Sequence, residues 1–273
     1  DICLPHRGLG CSSDAMPLIG ENFPTYHQFA ITPLQGIYTD ALLNAADKFE
    51  INDLASGILF NQTDNQGNVQ FMFRPLPRMA QASPIFGSAL SDINGDGNID
   101  LYVVQNFFGP QRETGYMDGG VSLLLLGDGT GRFQEISPGE SGLIVPGAGM
   151  SLTVSDLNSD GRPDYLVGVN NNGLIFFENQ SREKFNAIRL PELTDKQNYI
   201  GAKIKLFFMD NSVQLHEVYA GSGYLSQSAP ILFFASNEKE LRVKRIEVRW
   251  PDGTTGTIFD IEQKVNNLSF SIL

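Results

Sequence analysis

Between residues 55 and 192 the chain alternates short apolar runs with turn-forming clusters of Gly, Asn and Asp. The runs are G-I-L-F from Gly57, Q-F-M-F from Gln70, D-L-Y-V-V from Asp100 and V-S-L-L-L-L from Val121. L-T-V-S from Leu152, Y-L-V-G-V from Tyr165 and L-I-F-F from Leu174 follow. Runs this short, bounded by turn residues, predict β-strands, and their unbroken apolar character predicts burial on both faces. From about residue 197 the texture changes. N-Y-I-G-A-K-I-K-L-F-F alternates polar and apolar positions, as a half-exposed strand does. H-E-V-Y, V-K-R-I-E-V-R-W and N-N-L-S-F-S-I-L continue in the same manner, predicting a small, separate antiparallel β domain over 197–273. Residues 1–54 read as an N-terminal arm. Four prolines and little periodicity predict an extended path over 1–36, and Ala41, Leu42, Ala45, Ala46 and Phe49 form the apolar stripe of one short packed helix at 39–49.

Two nine-residue stretches punctuate the strands. D-I-N-G-D-G-N-I-D spans Asp92 to Asp100, D-L-N-S-D-G-R-P-D spans Asp156 to Asp164, and their first residues lie 64 apart. Calcium is a hard cation that takes six to eight oxygens, mostly carboxylate and carbonyl. Oxygen-bearing side chains at positions 1, 3, 5 and 9 of a tight loop are able to face one centre, with a position-7 carbonyl as a further ligand. The ligands predicted on that pattern are Asp92, Asn94, Asp96, Asn98 and Asp100 for one ion, and Asp156, Asn158, Asp160, Arg162 and Asp164 for a second. Gly97 and Gly161 at position 6 supply the backbone freedom for the wrap. The bland alternative is an Asp/Asn/Gly turn with no ion. An EF-hand needs a bidentate Glu at position 12, where this chain has Val103 and Val167, so that reading fails.

A loop that closes at position 9 and runs straight into a strand resembles the FG-GAP calcium loop of integrin-type β-propellers and the related VCBS repeats. The surrounding order repeats too: a Gly before a strand, the loop, a strand, a connection, another strand and a turn that ends on an aromatic. Phe86-Gly87 leads to Asp92 and on through G-D-G-T-G-R to Phe133. Gly147 and Gly149 lead to Asp156 and on through E-N-Q-S-R-E-K to Phe185. Leu59-Phe60-Asn61 to Phe71 reads as the closing half of an earlier unit. A period of about 50–65 residues with several strands is that of propeller blades. About three units fall short of a closed ring, so missing blades are expected upstream or from another chain. Downstream, G-A-K-I-K-L, A-G-S-G-Y-L-S-Q-S-A-P and I-E-V-R-W-P-D-G-T resemble the ASPIC/UnbV domain that follows such repeats. The resemblance implies an all-β chain, a partial propeller followed by a small β domain, with calcium at two sites, and it implies no reaction. It leaves Tyr224, Gln227 and Trp250 as packing residues.

Composition narrows the function. Residues 1–199 carry 11 Lys and Arg against 23 Asp and Glu, net −12, whereas residues 200–273 balance at 8 against 8. Six of the acidic residues are the loop aspartates. This balance excludes nucleic acid, which calls for a basic face. No apolar run approaches the ~20 residues of a membrane helix. The start at Asp1, with no Met and no signal peptide, reads as a processed or excised chain. Cys3 and Cys11, eight residues apart, are the two cysteines and predict a small disulfide loop outside the cytosol. Sequons stand at Asn61, Asn179 and Asn267. His6, His27 and His216 are scattered and form no metal pattern, and no nucleophile elbow or phosphate loop occurs. The polar stretch Pro110 to Gly120 reads as an insertion between strands, open to a binding role. The resulting expectation is a secreted or cell-surface protein that binds calcium and engages a protein or glycan ligand, or assembles with itself. A polysaccharide-acting propeller enzyme and a filament subunit are the alternatives.

Overall fold

The computed structural model describes residues 3–110, 114–181, 185–189, 199–209, 211–235 and 243–259. Residues 1–54 and 109–116 form one compact unit, and the remainder forms a second. In the first unit the arm is helical, not extended: α1 (Leu9–Ala15), α2 (Pro17–Asn22), α3 (Tyr26–Ile31), α4 (Leu34–Ile37) and α5 (Asp40–Ala45). The prolines that suggested an extended chain instead start helices. Pro17 opens α2, and Pro33 precedes α4. Thr25 Oγ1 accepts the Gln28 N–H at 3.2 Å, and Thr39 Oγ1 accepts that of Leu42 at 3.4 Å, as N-caps do. Leu9, Ile19 and Phe29 bury together, with the Phe23 ring edge-on to Phe29 at 5.6 Å. The helix expected at 39–49 stands as α5, but its stripe does not pack: Leu42 and Phe49 are exposed.

Cys3 and Cys11 are not bridged, which corrects the disulfide expectation. The Cys3 carbonyl accepts the Leu34 N–H at 3.0 Å, which ties this residue to the start of α4, while Cys11 lies inside α1.

In the second unit a hairpin of β1 (Gly57–Asn61) and β2 (Phe71–Pro75) comes first. It lies over the residues expected to close an earlier unit, as a two-stranded sheet of its own. Then β3 (Ile85–Ser91), β4 (Asp100–Gln105), β5 (Leu123–Gly127) and β6 (Phe133–Ile136) make a four-stranded antiparallel sheet in chain order. The strands β7 (Gly149–Ser155), β8 (Asp164–Val169) and β9 (Leu174–Phe177) repeat that order. These are antiparallel meanders with the strand order of propeller blades. A register shift between Ile85 and Ser88 in β3 recurs between Gly149 and Ser151 in β7. The bridge between Phe107 and Met117 closes the base of the polar insertion.

Every residue of β4 is buried, and the reason is its position between two layers. Tyr102 and Val104 pack towards Leu152, Tyr165 and Val167 of the next sheet. Leu101 and Val103 pack the opposite way, with Leu76, Ala80 and Ile58. An unbroken apolar strand is the sequence signature of such two-sided burial. The outer strands β1, β2 and β9 are half-exposed despite equally apolar sequences.

The C-terminal part holds β10 (Phe185–Arg189), β11 (Lys203–Phe208), β12 (Val213–Glu217), β13 (Ile231–Ala235), β14 (Val243–Arg249) and β15 (Thr255–Phe259). Four of these form an antiparallel sheet in the order β12-β11-β14-β15, with Ile204, Leu206, Ile246, Val248 and Trp250 in its core. The strand expected at 266–273 lies outside the described residues. Pairing crosses the anticipated boundary: β10, which follows the second blade in sequence, pairs with β13. The loop after β12 also runs along β7, where Leu152 donates to the Gly223 carbonyl at 3.0 Å and Ala229 donates to that of Val154 at 3.1 Å.

Candidate metal centre

Each nine-residue stretch is the turn between the first two strands of a sheet, closed in the same register, Ser91 opposite Asp100 and Ser155 opposite Asp164. Position 6 has φ of 87° at Gly97 and 83° at Gly161, the left-handed backbone that glycine accepts without strain. The carboxylates of positions 1 and 9 are buried in both loops. In the first loop Asp92 Oδ1 accepts the N–H groups of Gly95 (2.8 Å) and Asp96 (3.2 Å), and Oδ2 that of Gly97 (2.9 Å). Asn94 Oδ1 accepts the Asp96 N–H at 3.0 Å, and Asp96 Oδ1 that of Asn98 at 2.8 Å. In the second, Asp156 Oδ1 and Asn158 Oδ1 both accept the Asp160 N–H, at 3.0 and 3.1 Å, and Asp160 Oδ1 accepts that of Arg162 at 2.9 Å.

The closing aspartates do more than end the loops. Asp100 Oδ2 accepts the Ile93 N–H at 3.0 Å and Oδ1 the Gly127 N–H at 2.9 Å. Asp164 Oδ2 accepts the Leu157 N–H and Oδ1 the Asn179 N–H, both at 2.9 Å. Each therefore joins its own loop to the end of the sheet's third strand. Gly127 leaves no room for anything larger, since a Cβ there would stand 2.1 Å from the Ile99 carbonyl oxygen.

Burial works against the charge of these groups. It pushes Asp100 up to about 6, opposed by the Gly127 and Ile93 amides and reinforced by the negative charges of Asp96 and Asp92. Burial also raises Asp92 and Asp164. The loops differ at position 7. The Asn98 side chain lies against Gly129 of the β5–β6 turn, whose Cβ would come within 2.6 Å of Asn98 Oδ1. Arg162 turns back instead, its Nη1 3.0 Å from Asp160 Oδ2 and 3.4 Å from the Asn179 carbonyl.

All ten ligand positions predicted from sequence thus fall into two loops of one design. Among the described residues no three His, Cys, Asp or Glu side chains already converge as a metal cluster, because the loop carboxylates are turned on to amides. The donor set nonetheless fits a hard cation. It consists of oxygens, three carboxylates and an amide per loop, and a carboxylate oxygen that accepts one N–H keeps a lone pair. Buried carboxylates pushed upward are the groups that a cation would relieve. Sequence reasoning missed Gly127 and Asn179, which cap the closing aspartates from 27 and 15 residues downstream. Nothing local in sequence marks them.

Two family descriptions match parts of the chain. The description "FG-GAP-like repeat" matches residues 92–167, from the first residue of the first loop to β8. "ASPIC and UnbV" matches residues 193–266. The chain thus matches an FG-GAP-like repeat in one stretch and an ASPIC and UnbV segment in another. Its relatives include cartilage acidic protein 1 of Xenopus tropicalis, 24% identical over 215 residues, which cover 77% of this chain and 32% of that protein. The Homo sapiens protein of the same name is 24% identical over 203 residues, 71% of this chain and 29% of its own length. The chain thus spans about a third of the length of these relatives. No described helix is long and apolar enough to cross a membrane.

Proposed function

We propose that this FG-GAP and ASPIC/UnbV chain is a calcium-stabilised recognition or assembly module that works outside the cell and catalyses no reaction. One ion is held by Asp92, Asn94, Asp96, Asp100 and the Asn98 carbonyl. The second is held by Asp156, Asn158, Asp160, Asp164 and the Arg162 carbonyl. The observation that carries the reading is the repetition: two loops with one register, amide contacts shared at positions 1, 3, 5 and 9, and buried carboxylates at both ends. The ion's role is structural. Calcium that binds only the folded state stabilises it by ~2.7 kcal/mol at a hundred times its dissociation constant. Likeness to proteins named for cartilage supports an extracellular setting and a protein or glycan ligand. The unbridged Cys3 and Cys11 give that setting no support.

The test is a thermal melt with excess calcium and with chelator, for the natural chain and for Asp96→Ala with Asp160→Ala. A calcium-dependent rise in melting temperature of several degrees, lost in the double variant, is expected. Identical melts, together with no calcium in metal analysis of the untreated protein, would overturn the reading.

A further inference from the structure

The two loops are joined to each other, and the joint passes through a residue that the repeat itself does not require. Asn179 N–H caps Asp164 Oδ1 at 2.9 Å, as Gly127 N–H caps Asp100 in the preceding blade. Gly127 does that work with no side chain. Asn179 has one, and its Nδ2 donates to the Ile93 carbonyl at 3.1 Å, across to the first loop. The amide is held in that orientation because its Oδ1 accepts the Ser181 N–H at 2.9 Å. The N–H of Ile93 in turn donates to Asp100 Oδ2 at 3.0 Å. An unbroken series of hydrogen bonds therefore runs from the closing carboxylate of one loop to that of the other: Asp164, Asn179, Ile93, Asp100. A second bridge lies beside it. Ser91, which precedes Asp92, is 2.7 Å through Oγ from the hydroxyl of Tyr165, which follows Asp164, and both residues are buried.

We propose that Asn179 is a positioning residue that couples the two calcium loops, so that an ion in either one strengthens binding in the other. The proposal rests on the calcium reading above. Its physical basis is shared ordering. A loop that closes on its ion fixes the Ile93 carbonyl or the Asn179 amide, and the second loop then has less freedom to lose. Coupling of this kind is reciprocal by linkage. The assignment also changes how the Asn179 sequon reads. Its Nδ2, the atom that would carry a sugar, is committed to Ile93, so the folded chain uses this residue for the joint.

The test is a calcium titration by calorimetry of the natural chain and of Asn179→Ala, with far-ultraviolet circular dichroism recorded to verify folding. The natural chain is expected to take up two ions along a curve steeper than that of independent sites. In Asn179→Ala two ions still bind, the steepness is lost and the midpoint weakens by roughly five- to tenfold. Asn179→Leu keeps the main-chain cap and a neutral side chain of similar size but has no side-chain N–H for Ile93. It should behave like the alanine variant, and it decides the matter if Asn179→Ala does not fold. Two ions with unchanged steepness and midpoint in the variants would overturn the coupling while leaving the sites intact. A variant that loses one ion outright would make Asn179 part of the second site and overturn its role as a joint. A natural chain that binds no calcium would instead overturn the underlying reading.

Discussion

Asp100 and His216 are buried against their charges in opposite senses, and the pH dependence of stability follows from that opposition. Asp100 rises to about 6 in the folded chain, so the fold holds its proton more tightly than the unfolded chain does. Its contribution is present at low pH and is lost as pH climbs from about 4 to 6. His216 falls to about 4 through burial, and its inward Nε2 has no hydrogen-bond partner among the described residues. Its contribution is present above about 6.5 and is lost as pH falls towards 4. Each is worth on the order of 3 kcal/mol, with opposite sign. Burial raises Asp92 and Asp164 in the same sense as Asp100, so in chelator the carboxylates pull stability down as pH climbs from about 4 to 6 while His216 pulls it up. Relative to the natural chain in chelator, Asp100→Asn should tilt the profile towards stability that rises with pH. His216→Gln should tilt it towards stability that falls, and calcium should abolish the fall. Denaturant titrations across that range check all three, and a parallel pH profile in both variants would contradict the assignment.

At the scale of elements, periodicity in the sequence was a good guide to strands and a poor one to their neighbours. The seven apolar runs all became strands, but only the central ones are buried on both sides, since the edge of a blade has solvent where its centre has the next sheet. The arm's helices α1 to α4 were missed for a related reason: each has seven residues or fewer, too short to display a period. The loop after β12 shows what close approach demands. Gly223 has φ of 84°, and a Cβ on it would stand 2.1 Å from the Leu152 carbonyl oxygen of β7. Neighbouring Tyr224 and Leu225 are left-handed too, at 52° and 50°, held by Ser226 Oγ, which reaches the Leu152 carbonyl at 2.9 Å. The Tyr224 ring packs edge-on to Phe86 at 5.2 Å, and Gln227 braces the loop through the Tyr219 and Ser228 carbonyls. Gly223→Ala combines backbone strain with a steric clash and is expected to cost about 2–3 kcal/mol, read as a lower denaturation midpoint. An unchanged midpoint would mean that this loop does not bear on β7 in solution.

For the molecule as a whole, the pairing of β10 with β13 and the hydrogen bonds of the 222–229 loop to β7 tie the blades to the C-terminal sheet. Trp250 is the single tryptophan and is buried in the C-terminal sheet, so its emission reports that part alone. Calcium acts at loops of the blades. The expected result is one unfolding transition, in which calcium raises the midpoint seen by Trp250 as much as that seen by circular dichroism. Two separated transitions, with Trp250 indifferent to calcium, would show independent domains. A chain ended at residue 192 should lose its cooperative melt, because the backbone groups of Leu152 and Val154 on the β7 edge would lose their partners.

The nine-residue spacing, the strand runs, the blade order and the change of texture near residue 197 were all legible in the sequence by itself. Each rests on local rules: turn chemistry, side-chain alternation and the oxygen count of a tight loop. Tertiary structure alone decided which carboxylates are buried, which amides cap them and how the loops are joined. Gly127, Asn179, Ser91 and Tyr165 meet the loops from strands folded against them, and such meetings have no signature in the order of residues along the chain. The absence of a Cys3–Cys11 bridge belongs to the same class, since eight residues of separation permit a disulfide and only the path taken by the chain decides whether the two sulfurs meet.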